Sequence, residues 1–393
     1  MRFEDIVAPL GAEEFKRDYL GQKPLHLQGA ADKFHAVMNW EVLNRLLEAT
    51  PLWTSQTMLL ILDRETIAPP AYCVTVPGRE GGGAMRPDPA KVQQFLARGA
   101  TMVLNFIDQF TPEMRAFAQA LERELGGTIQ ANLYLSSKRK QGFNAHFDFH
   151  DVFAMHVMGE KTWTVFQGRC DWPIKHPMFE GWPRERHNEL QGELWREVTL
   201  RPGDLLYLPR GQYHYALADD GPCVHLAWGV TYPIGMDVVS YAFERTAAES
   251  LGRQNLPRDP QALRVRLGEI GQTIARMLSE PKALEDMQGF MARFTPAAPS
   301  YELPEVIERT EMAYKVKRAG LRLVSQGGRH GLVREGTRQA VEVPAAMQPQ
   351  VAWVLDRDRF AKSELASAFP GYGSEKLDRL IADLSRMALL EPA

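Results

Sequence analysis

GDLLYLPRGQYH, residues 203–214, is the stretch that decides the fold of this chain. The apolar run Leu205 to Leu208 predicts a buried strand, and Pro209-Arg210-Gly211 predicts a tight turn directly after it. A turn at this position aims His214 back towards the interior of the sheet that the strand enters. The stretch therefore predicts an all-β barrel or sandwich that carries an inward-pointing histidine.

A second histidine lies upstream, in QGFNAHFDFHDVFAMHVMGEKTWTVF, residues 141–166. Side chains of a strand alternate between two faces, so His146 and Asp148 would project from the same face, close enough to share one ion. One such pair arises easily by chance in a chain with ten histidines. Together with His214, however, it forms a set of two imidazoles and one carboxylate, the pattern of non-haem Fe(II) sites. Zinc accepts the same ligands and stays an alternative.

A lysine follows the pair of His146 and Asp148, in the segment EKTWTVF. There Lys161 and Trp163 share one face of a predicted strand. A lysine buried in a strand needs a compensating anion, because an unpaired ammonium is expensive to remove from water. Alternatively, Lys161 begins the strand and reaches solvent. Beside a metal site with open positions, the first interpretation predicts a carboxylate ligand. Asn132 and Tyr134 lie on the polar face of ANLYLS and are candidates to complete the pocket.

The composition is that of a folded protein with more than one structural unit. At 393 residues the chain exceeds one ordinary domain, and its charged fraction of 24% argues against disorder. A net charge of −3 provides no global attraction to nucleic acid or to an anionic membrane. The N-terminal sequence lacks the pattern of a signal peptide, and three scattered cysteines make a disulfide framework improbable. We therefore expect a cytoplasmic protein that binds neither nucleic acid nor membranes.

The order of patterns along the chain predicts an α+β fold in three segments. Residues 1–235 would form one unit, with an irregular N-terminal elaboration followed by short strands from Thr128 onward that indicate an all-β barrel or sandwich. Residues 236–300 show helical periodicity and would mediate a homodimer. Residues 301–393 contain a predicted hairpin, LRLVSQGGRHGLV, and a final amphipathic helix, which resembles a winged helix. Basic and acidic residues are nearly balanced in this last segment, so a protein-contact or structural role is favoured over nucleic-acid binding.

The chain resembles the JmjC-type oxygenases of the cupin superfamily that depend on 2-oxoglutarate and Fe(II), specifically the bacterial ribosomal-oxygenase-like group. The resemblance extends over nearly the whole chain and is carried by GQKPLHLQGA, QGFNAHFDFHDVF, GEKTW and LYLPRGQYHYA. It implies that residues 1–235 form a catalytic double-stranded β-helix, or jelly-roll, whose metal ligands are His146, Asp148 and His214. It also implies that Lys161 pairs with the distal carboxylate of 2-oxoglutarate, that Tyr134 is the tyrosine on the preceding strand of the co-substrate site, that Asn132 lies beside the substrate, and that dioxygen is the oxidant.

Some residues depart from the pattern of that group. His156 stands where many relatives have glutamine, and His150 adds a further imidazole near the site. Each is interpreted as a packed histidine or a supporting hydrogen-bond donor, with an alternative ligand as the second reading. The segment SSKRKQGF before the first ligand is basic, with Lys138, Arg139 and Lys140, where arginine-hydroxylating relatives carry an acid. We therefore do not infer from the resemblance alone that this protein hydroxylates an arginine of a ribosomal protein.

Three functional hypotheses follow from the sequence. The first is hydroxylation of a protein or peptide side chain, with a ribosomal-protein-like substrate favoured. The second is hydroxylation of the precursor of a ribosomally synthesised natural product, which needs the same metal site. The third is a non-catalytic cupin scaffold whose helices and C-terminal segment bind a partner. The insert between Gly168 and Glu197, with Trp172, Trp182 and Trp195, is either one wall of a peptide groove or a loop packed by its own aromatic side chains.

Overall fold

The computed structural model describes residues 1–77, 83–137, 144–219, 221–295, 312–318, 321–326, 329–334, 340–387 and 389–393. Two compact units divide the chain, Met1–Ala297 and Ala298–Ala393. The finer division into residues 1–235, 236–300 and 301–393 stays a prediction.

Antiparallel strands dominate the first unit. In the described residues they are β1 (Leu25–Leu27), β2 (Met58–Leu62), β3 (Glu65–Thr66), β4 (Cys73–Pro77), β5 (Gly83–Pro87), β6 (Thr101–Leu104), β7 (Thr128–Ser136), β8 (Asp151–Met158), β9 (Lys161–Arg169), β10 (Leu194–Leu200), β11 (Leu205–Leu208), β12 (Gln212–Ala218) and β13 (Cys223–Thr231). A large sheet has the order β1-β11-β8-β13-β7-β6-β2-β3, and a smaller sheet has the order β10-β9-β12. The strands β4 and β5 form a separate hairpin.

The two main sheets pack face to face through an apolar layer. Val152 and Ala154 of β8 meet Trp163 and Val165 of β9 in this layer, and residues of β10 and β11 complete it. Alternation along each strand sends one set of side chains into this layer and the other set to the opposite face. The predicted double-layered β core is therefore confirmed.

Helices cover the outer face of the large sheet and extend beyond it. In the described residues of the first unit they are α1 (Phe3–Val7), α2 (Ala12–Asp18), α3 (Trp40–Glu48), α4 (Pro89–Ala97), α5 (Pro112–Leu125), α6 (Arg184–Gln191), α7 (Gly235–Ala248), α8 (Ser250–Arg253), α9 (Pro260–Ser279) and α10 (Pro281–Ala292). Phe15 of α2 packs against Phe153 and Tyr207 of the sheet.

Helix α5 begins and ends where the sequence predicts. The Thr111 side chain accepts a hydrogen bond from the Met114 amide, and Gly126 ends the helix in a left-handed conformation that glycine adopts without strain. Met114, Phe117 and Leu121 are buried against the core. None of the helices in the described ranges has both the length and the apolar content needed to cross a membrane.

One predicted strand is wrong. The segment FNAHFDF does not form a strand over its described residues, 144–149; its only ladder contact there is an isolated bridge between His146 and His214. The chain turns away immediately afterwards, before β8 begins at Asp151. The two-residue alternation of side chains nevertheless holds locally, since His146 and Asp148 face the same side.

The second unit combines small sheets and short helices. Its described elements are β14 (Ala313–Val316), β15 (Leu321–Gln326), β16 (Arg329–Arg334), β17 (Ala340–Val343), α11 (Gln348–Leu355), β18 (Arg359–Ala361), α12 (Lys362–Ala368), α13 (Ser374–Arg386) and β19 (Leu390–Pro392). The predicted hairpin is confirmed by the antiparallel pairing of β15 with β16. The predicted terminal helix is confirmed as α13, which buries Leu377, Leu380, Ile381 and Leu384.

Candidate metal centre

Two histidines and one aspartate converge at one end of the space between the main sheets. One potential ligand atom from each of His146, Asp148 and His214 lies within 4.8 Å of the other two. The Nε2 atom of His214 lies 3.6 Å from Oδ2 of Asp148. A metal with bonds of about 2.1 Å holds neighbouring ligand atoms about 3 Å apart, so small side-chain adjustments would complete such a centre.

Backbone hydrogen bonds fix the two histidines opposite each other. The His146 amide donates to the His214 carbonyl at 3.0 Å, and the His214 amide donates to the His146 carbonyl at 2.9 Å. The Gly211 amide donates to the Asp148 carbonyl at 3.0 Å. Residues directly opposite in such a pair project their side chains to the same side. The turn predicted at 209–211 therefore brings His214 to the same side as His146 and Asp148.

Hydrogen bonds to carbonyl groups orient both imidazole rings. The Nδ1 atom of His146 lies 2.8 Å from the Asn144 carbonyl, and that of His214 lies 2.9 Å from the Gln212 carbonyl. A neutral ring that donates through Nδ1 presents its Nε2 lone pair, which is the form that binds a metal. Burial, together with the nearby His146, lowers the pKa of His214 to about 4, so this ring is neutral at pH 7.

The carboxylate of Asp148 is ionised despite its buried surroundings. Burial by itself would raise its pKa, but the neighbouring His146, His214 and His150 lower it below the ordinary value. At neutral pH His214 thus supplies a neutral nitrogen and Asp148 an anionic oxygen, and the His146 imidazole provides the third donor. This set of two imidazoles and one carboxylate fits a divalent transition metal, and only the carboxylate contributes a negative charge.

A second carboxylate supports the segments that carry the ligands. The Asp151 side chain accepts hydrogen bonds from the Tyr207 hydroxyl at 2.6 Å and from the Arg210 amide at 2.8 Å. The Gly21 amide donates to the same Tyr207 hydroxyl at 2.7 Å. Burial raises the pKa of Asp151, although these donors oppose that effect. The network ties the 209–211 turn to the start of β8 and to the N-terminal region.

A cavity of about 230 Å³ extends from the three ligands between the sheets. Lys161 lines this cavity with only 6% of its surface exposed. In the part of the chain that the structure describes, its ammonium group has no carboxylate within salt-bridge distance. Burial lowers its pKa as a result. The alternative that Lys161 reaches solvent is therefore wrong, and the cavity contains a cationic group suited to an anion.

The two other predicted pocket residues differ in their positions. Tyr134 lines the cavity, and burial raises the pKa of its hydroxyl to about 12, so it is a neutral hydrogen-bonding group. Asn132 shares its strand face and hydrogen-bonds to it, but is not among the residues that line the cavity. The Asn132 side chain instead accepts a hydrogen bond from the Phe106 amide at 3.3 Å. Asn132 thus supports Tyr134 from the side.

Several cavity residues were not anticipated from the sequence. His225 of β13 lines the cavity, stacked on Tyr134 with ring centroids 4.8 Å apart. Trp163 lines it as well and stacks on His214 at 5.7 Å. Thr101 contributes from β6, a strand that is remote in sequence. His225 and Trp228 are three residues apart on β13, so their side chains lie on opposite faces of the sheet, and this alternation is the sequence signal for one of them facing the cavity.

The extra histidines are packed residues. The His150 ring lies against Gly229, where an added Cβ would meet its ring atoms at about 3 Å. His156 is fully buried, and its Nε2 atom lies 2.9 Å from the Gly159 carbonyl. Neither belongs to the group of ligand atoms around the metal position. The basic residues Lys138–Lys140, which bear on substrate choice, lie outside the described residues.

The cavity and its ligands belong to a JmjC-domain protein. Residues 105–238 match the family model of the JmjC domain, a range that includes the three candidate ligands and Lys161. Residues 105–238 are therefore assigned to a JmjC domain with a JmjC/cupin fold, and the chain is similar to ribosomal oxygenases.

Among its relatives, the uncharacterized protein YxbC of Bacillus subtilis is 25% identical over 62% of this chain and 74% of its own length. Human ribosomal oxygenase 1 is 30% identical over 40% of this chain, and bovine ribosomal oxygenase 2 is 27% identical over 56%. The matches span 22% and 45% of those two proteins. A solved structure of Escherichia coli ycfD aligns over 98% of both chains with 15% identity and a TM-score of 0.48.

The pKa of His156 predicts how stability changes with pH. Burial lowers this pKa from 6.5 to about 4. Below pH 6.5 the unfolded chain therefore binds a proton at His156, whereas the folded protein binds it only as the pH approaches 4. The stabilising contribution is therefore complete above pH 6.5 and is lost as the pH falls towards 4. Glutamine does not titrate and can still donate to the Gly159 carbonyl. Between about pH 7.5 and about pH 5, we expect His156→Gln to lose about 2 kcal/mol less unfolding free energy than wild type.

Urea unfolding at the two pH values measures this difference. Equal losses in the two proteins would show that His156 is protonated in the folded state and that its burial does not control its charge.

Proposed function

We propose that this protein is an Fe(II)- and 2-oxoglutarate-dependent oxygenase that hydroxylates a side chain of a protein or peptide. The observation that carries the proposal is the position of Lys161. A buried cation and a facial group of two histidines and one aspartate line the same cavity. A ligand with one carboxylate for the cation and a second metal-binding end satisfies both.

The chemistry of the three ligands fits iron. His146, Asp148 and His214 would hold Fe(II) through two neutral nitrogens and one carboxylate, which leaves positions on the metal for a co-substrate and dioxygen. Iron supplies the activation of dioxygen when it is bound. The protein positions the ligands and keeps the surroundings dry, with Trp163 and His225 closing the cavity walls.

The chemistry of the cavity fits a short dicarboxylic oxo acid. The Lys161 ammonium would pair with the distal carboxylate, and the neutral Tyr134 hydroxyl would donate a hydrogen bond to it. A charge-assisted hydrogen bond in a water-poor site is stronger than one in water. Binding of the anion also compensates the buried charge of Lys161, which the described residues leave without a carboxylate partner.

The names of the relatives support a polypeptide substrate. Several are ribosomal oxygenases, and a Dictyostelium discoideum relative, 27% identical over 65% of this chain, is a bifunctional lysine-specific demethylase and histidyl-hydroxylase. A ribosomal-protein-like substrate is therefore favoured, and a natural-product precursor peptide is the alternative within the same chemistry. We place the reaction in the cytoplasm, in keeping with three free, buried cysteines.

Incubation of the iron-loaded protein with 2-oxoglutarate and ribosomes or cell extract tests the proposed reaction. We expect succinate release and a peptide that gains the mass of one oxygen atom, both reduced to background in His214→Ala because the metal loses a ligand. Peptide mass spectrometry and succinate assays measure the two products.

Equal turnover in wild type and His214→Ala would contradict the proposal. Wild-type protein that binds neither Fe(II) nor 2-oxoglutarate would favour the non-catalytic scaffold instead.

Lys161→Met keeps an unbranched side chain only one heavy atom shorter than lysine and removes its charge. We expect the KM for 2-oxoglutarate to rise by roughly tenfold or more, since a charge-assisted hydrogen bond contributes about 1.5–3 kcal/mol. The preference for 2-oxoglutarate over 2-oxobutyrate, which lacks the distal carboxylate, should fall in parallel. Steady-state kinetics with both oxo acids measure this preference. An unchanged preference would place the distal carboxylate elsewhere in the cavity.

We also propose that α7, α9 and α10 mediate a homodimer. Apolar side chains on α7 are exposed at helical spacing, with Val239 56% and Phe243 69% exposed. Val265 and Leu284 on the following helices are similarly exposed. The C-terminal unit, with its hairpin and α13, is proposed to be winged-helix-like and to contact protein partners.

If α7, α9 and α10 form the dimer interface, a charge introduced on their exposed apolar face should weaken the dimer. Phe243→Glu should shift the protein from dimer to monomer, because it buries a carboxylate in an apolar contact. Leu52→Glu, on a side chain that is 45% exposed outside these helices, serves as the matched control. Light scattering after size exclusion measures the mass of both variants. A wild-type monomer, or a Phe243→Glu dimer, would contradict this interface.

A further inference from the structure

We propose that the segment after β9, residues 170–193, is a clamp that holds the metal ligands in place from behind. The clamp acts through an aromatic cluster formed by Phe147, Trp182, His187 and Tyr213. The inference rests on the proposed metal centre, but it assigns a role to a part of the chain that this function leaves unexplained.

Two members of the cluster are the immediate neighbours of the ligands. Phe147 lies between His146 and Asp148, and Tyr213 directly precedes His214. In extended chain, adjacent side chains point to opposite sides, so both rings turn away from the metal position. Both are buried, neither lines the cavity, and their centroids lie 5.3 Å apart in an edge-to-face contact. This contact joins the two ligand-bearing segments on their rear side.

The segment provides the other two members. The Trp182 ring lies 5.7 Å from that of Phe147, and the His187 ring lies 6.0 Å from it. The Nδ1 atom of His187 is 3.0 Å from the Tyr213 hydroxyl. One side chain of each ligand-bearing segment is therefore packed against, or hydrogen-bonded to, the same short stretch of chain.

A charged side chain of the segment holds the backbone beside the first ligand. The Arg184 guanidinium donates to the Ala145 carbonyl at 2.7 Å, next to His146. The guanidinium of Arg186 lies 3.9 Å from the centroid of Trp182, on the face of that ring. These contacts fix the position of the aromatic rings relative to the ligand backbone.

Both ends of the segment are attached to the β core. The Cys170 amide donates to the Gly211 carbonyl at 2.9 Å, and the Gln167 amide donates to the Glu193 carbonyl at 2.8 Å. Gly168 packs so closely that an added Cβ would lie 1.9 Å from the Leu190 carbonyl oxygen. The segment is thus held at its start and its end while its middle supports Phe147 and Tyr213.

Trp182 differs in its surroundings from the other tryptophans of this insert. Trp182 packs behind the ligands, whereas Trp172 is 55% exposed and lies beside Arg169 and Arg210. Within the described residues, no ring contact joins any two of Trp172, Trp182 and Trp195. The positioning role is therefore assigned to Trp182 and not to Trp172.

Metal affinity measures the clamp independently of turnover. Supporting residues behind metal ligands commonly change affinity by 10-fold to 100-fold, so we expect Trp182→Ala to raise the Kd for Co(II) by about tenfold and to alter its d–d absorption spectrum. Trp182→Phe retains a ring against Phe147 and should bind Co(II) nearly as tightly as wild type. Met178→Ala, in the same segment and 63% exposed, is the matched control and should bind as wild type.

Calorimetric and spectroscopic titration of the full-length protein with Co(II) distinguishes the outcomes. Wild-type protein that does not bind Co(II) would refute the metal centre and the clamp together. Tight binding by wild type and equally tight binding by Trp182→Ala would overturn the clamp alone. Tyr213→Phe removes only the hydroxyl bonded to His187, so it should raise the Kd in the same direction even if Trp182→Ala fails to fold. An unchanged Kd in Tyr213→Phe would then overturn the clamp.

Discussion

The pair of backbone hydrogen bonds between His146 and His214 is the constraint on which the rest of the site depends. It links two segments that are 68 residues apart in the sequence and places their side chains on one side. Without this pair, the HxD spacing would have no fixed relation to the 209–211 turn. The bond from the Gly211 amide to the Asp148 carbonyl extends the same alignment by one step. The metal centre is therefore defined first by the backbone and then by the side chains.

Burial then sets the charges of the groups around that alignment. It holds His214 neutral, and it lowers the pKa of both His225 and Lys161, which share the cavity. Asp148 keeps its negative charge because imidazoles surround it. The cavity thus combines one anionic metal ligand, neutral rings and one cation. Such a cavity favours a ligand that places a negative charge next to the Lys161 cation.

The sequence predicted the parts of this site that depend on local pattern. Alternation predicted β7 and β13, and the turn chemistry predicted the return of His214 towards the core. The prediction of a strand at FNAHFDF was wrong because a strand needs a pairing partner that is distant in sequence. Here only the single bridge between His146 and His214 forms. Asn132 and Tyr134 share a face, but only the structure distinguishes the cavity residue from its support. The contact of Trp182 with Phe147 follows from the course of a long insert, which no local pattern records.

The network around Asp151 has a consequence for where the folding unit that carries the metal centre begins. The JmjC match covers residues 105–238, yet β1, β2 and β6 lie outside it and pair into the same sheet. The hydrogen bond from Gly21 to Tyr207 reaches, through Asp151, the turn that precedes His214. The region matched by the family model is thus smaller than the unit that folds. A fragment cut at residue 105 would expose the edge of β7 and leave Tyr207 without its Gly21 donor, so engineering of this family should treat the N-terminal hundred residues as part of the scaffold.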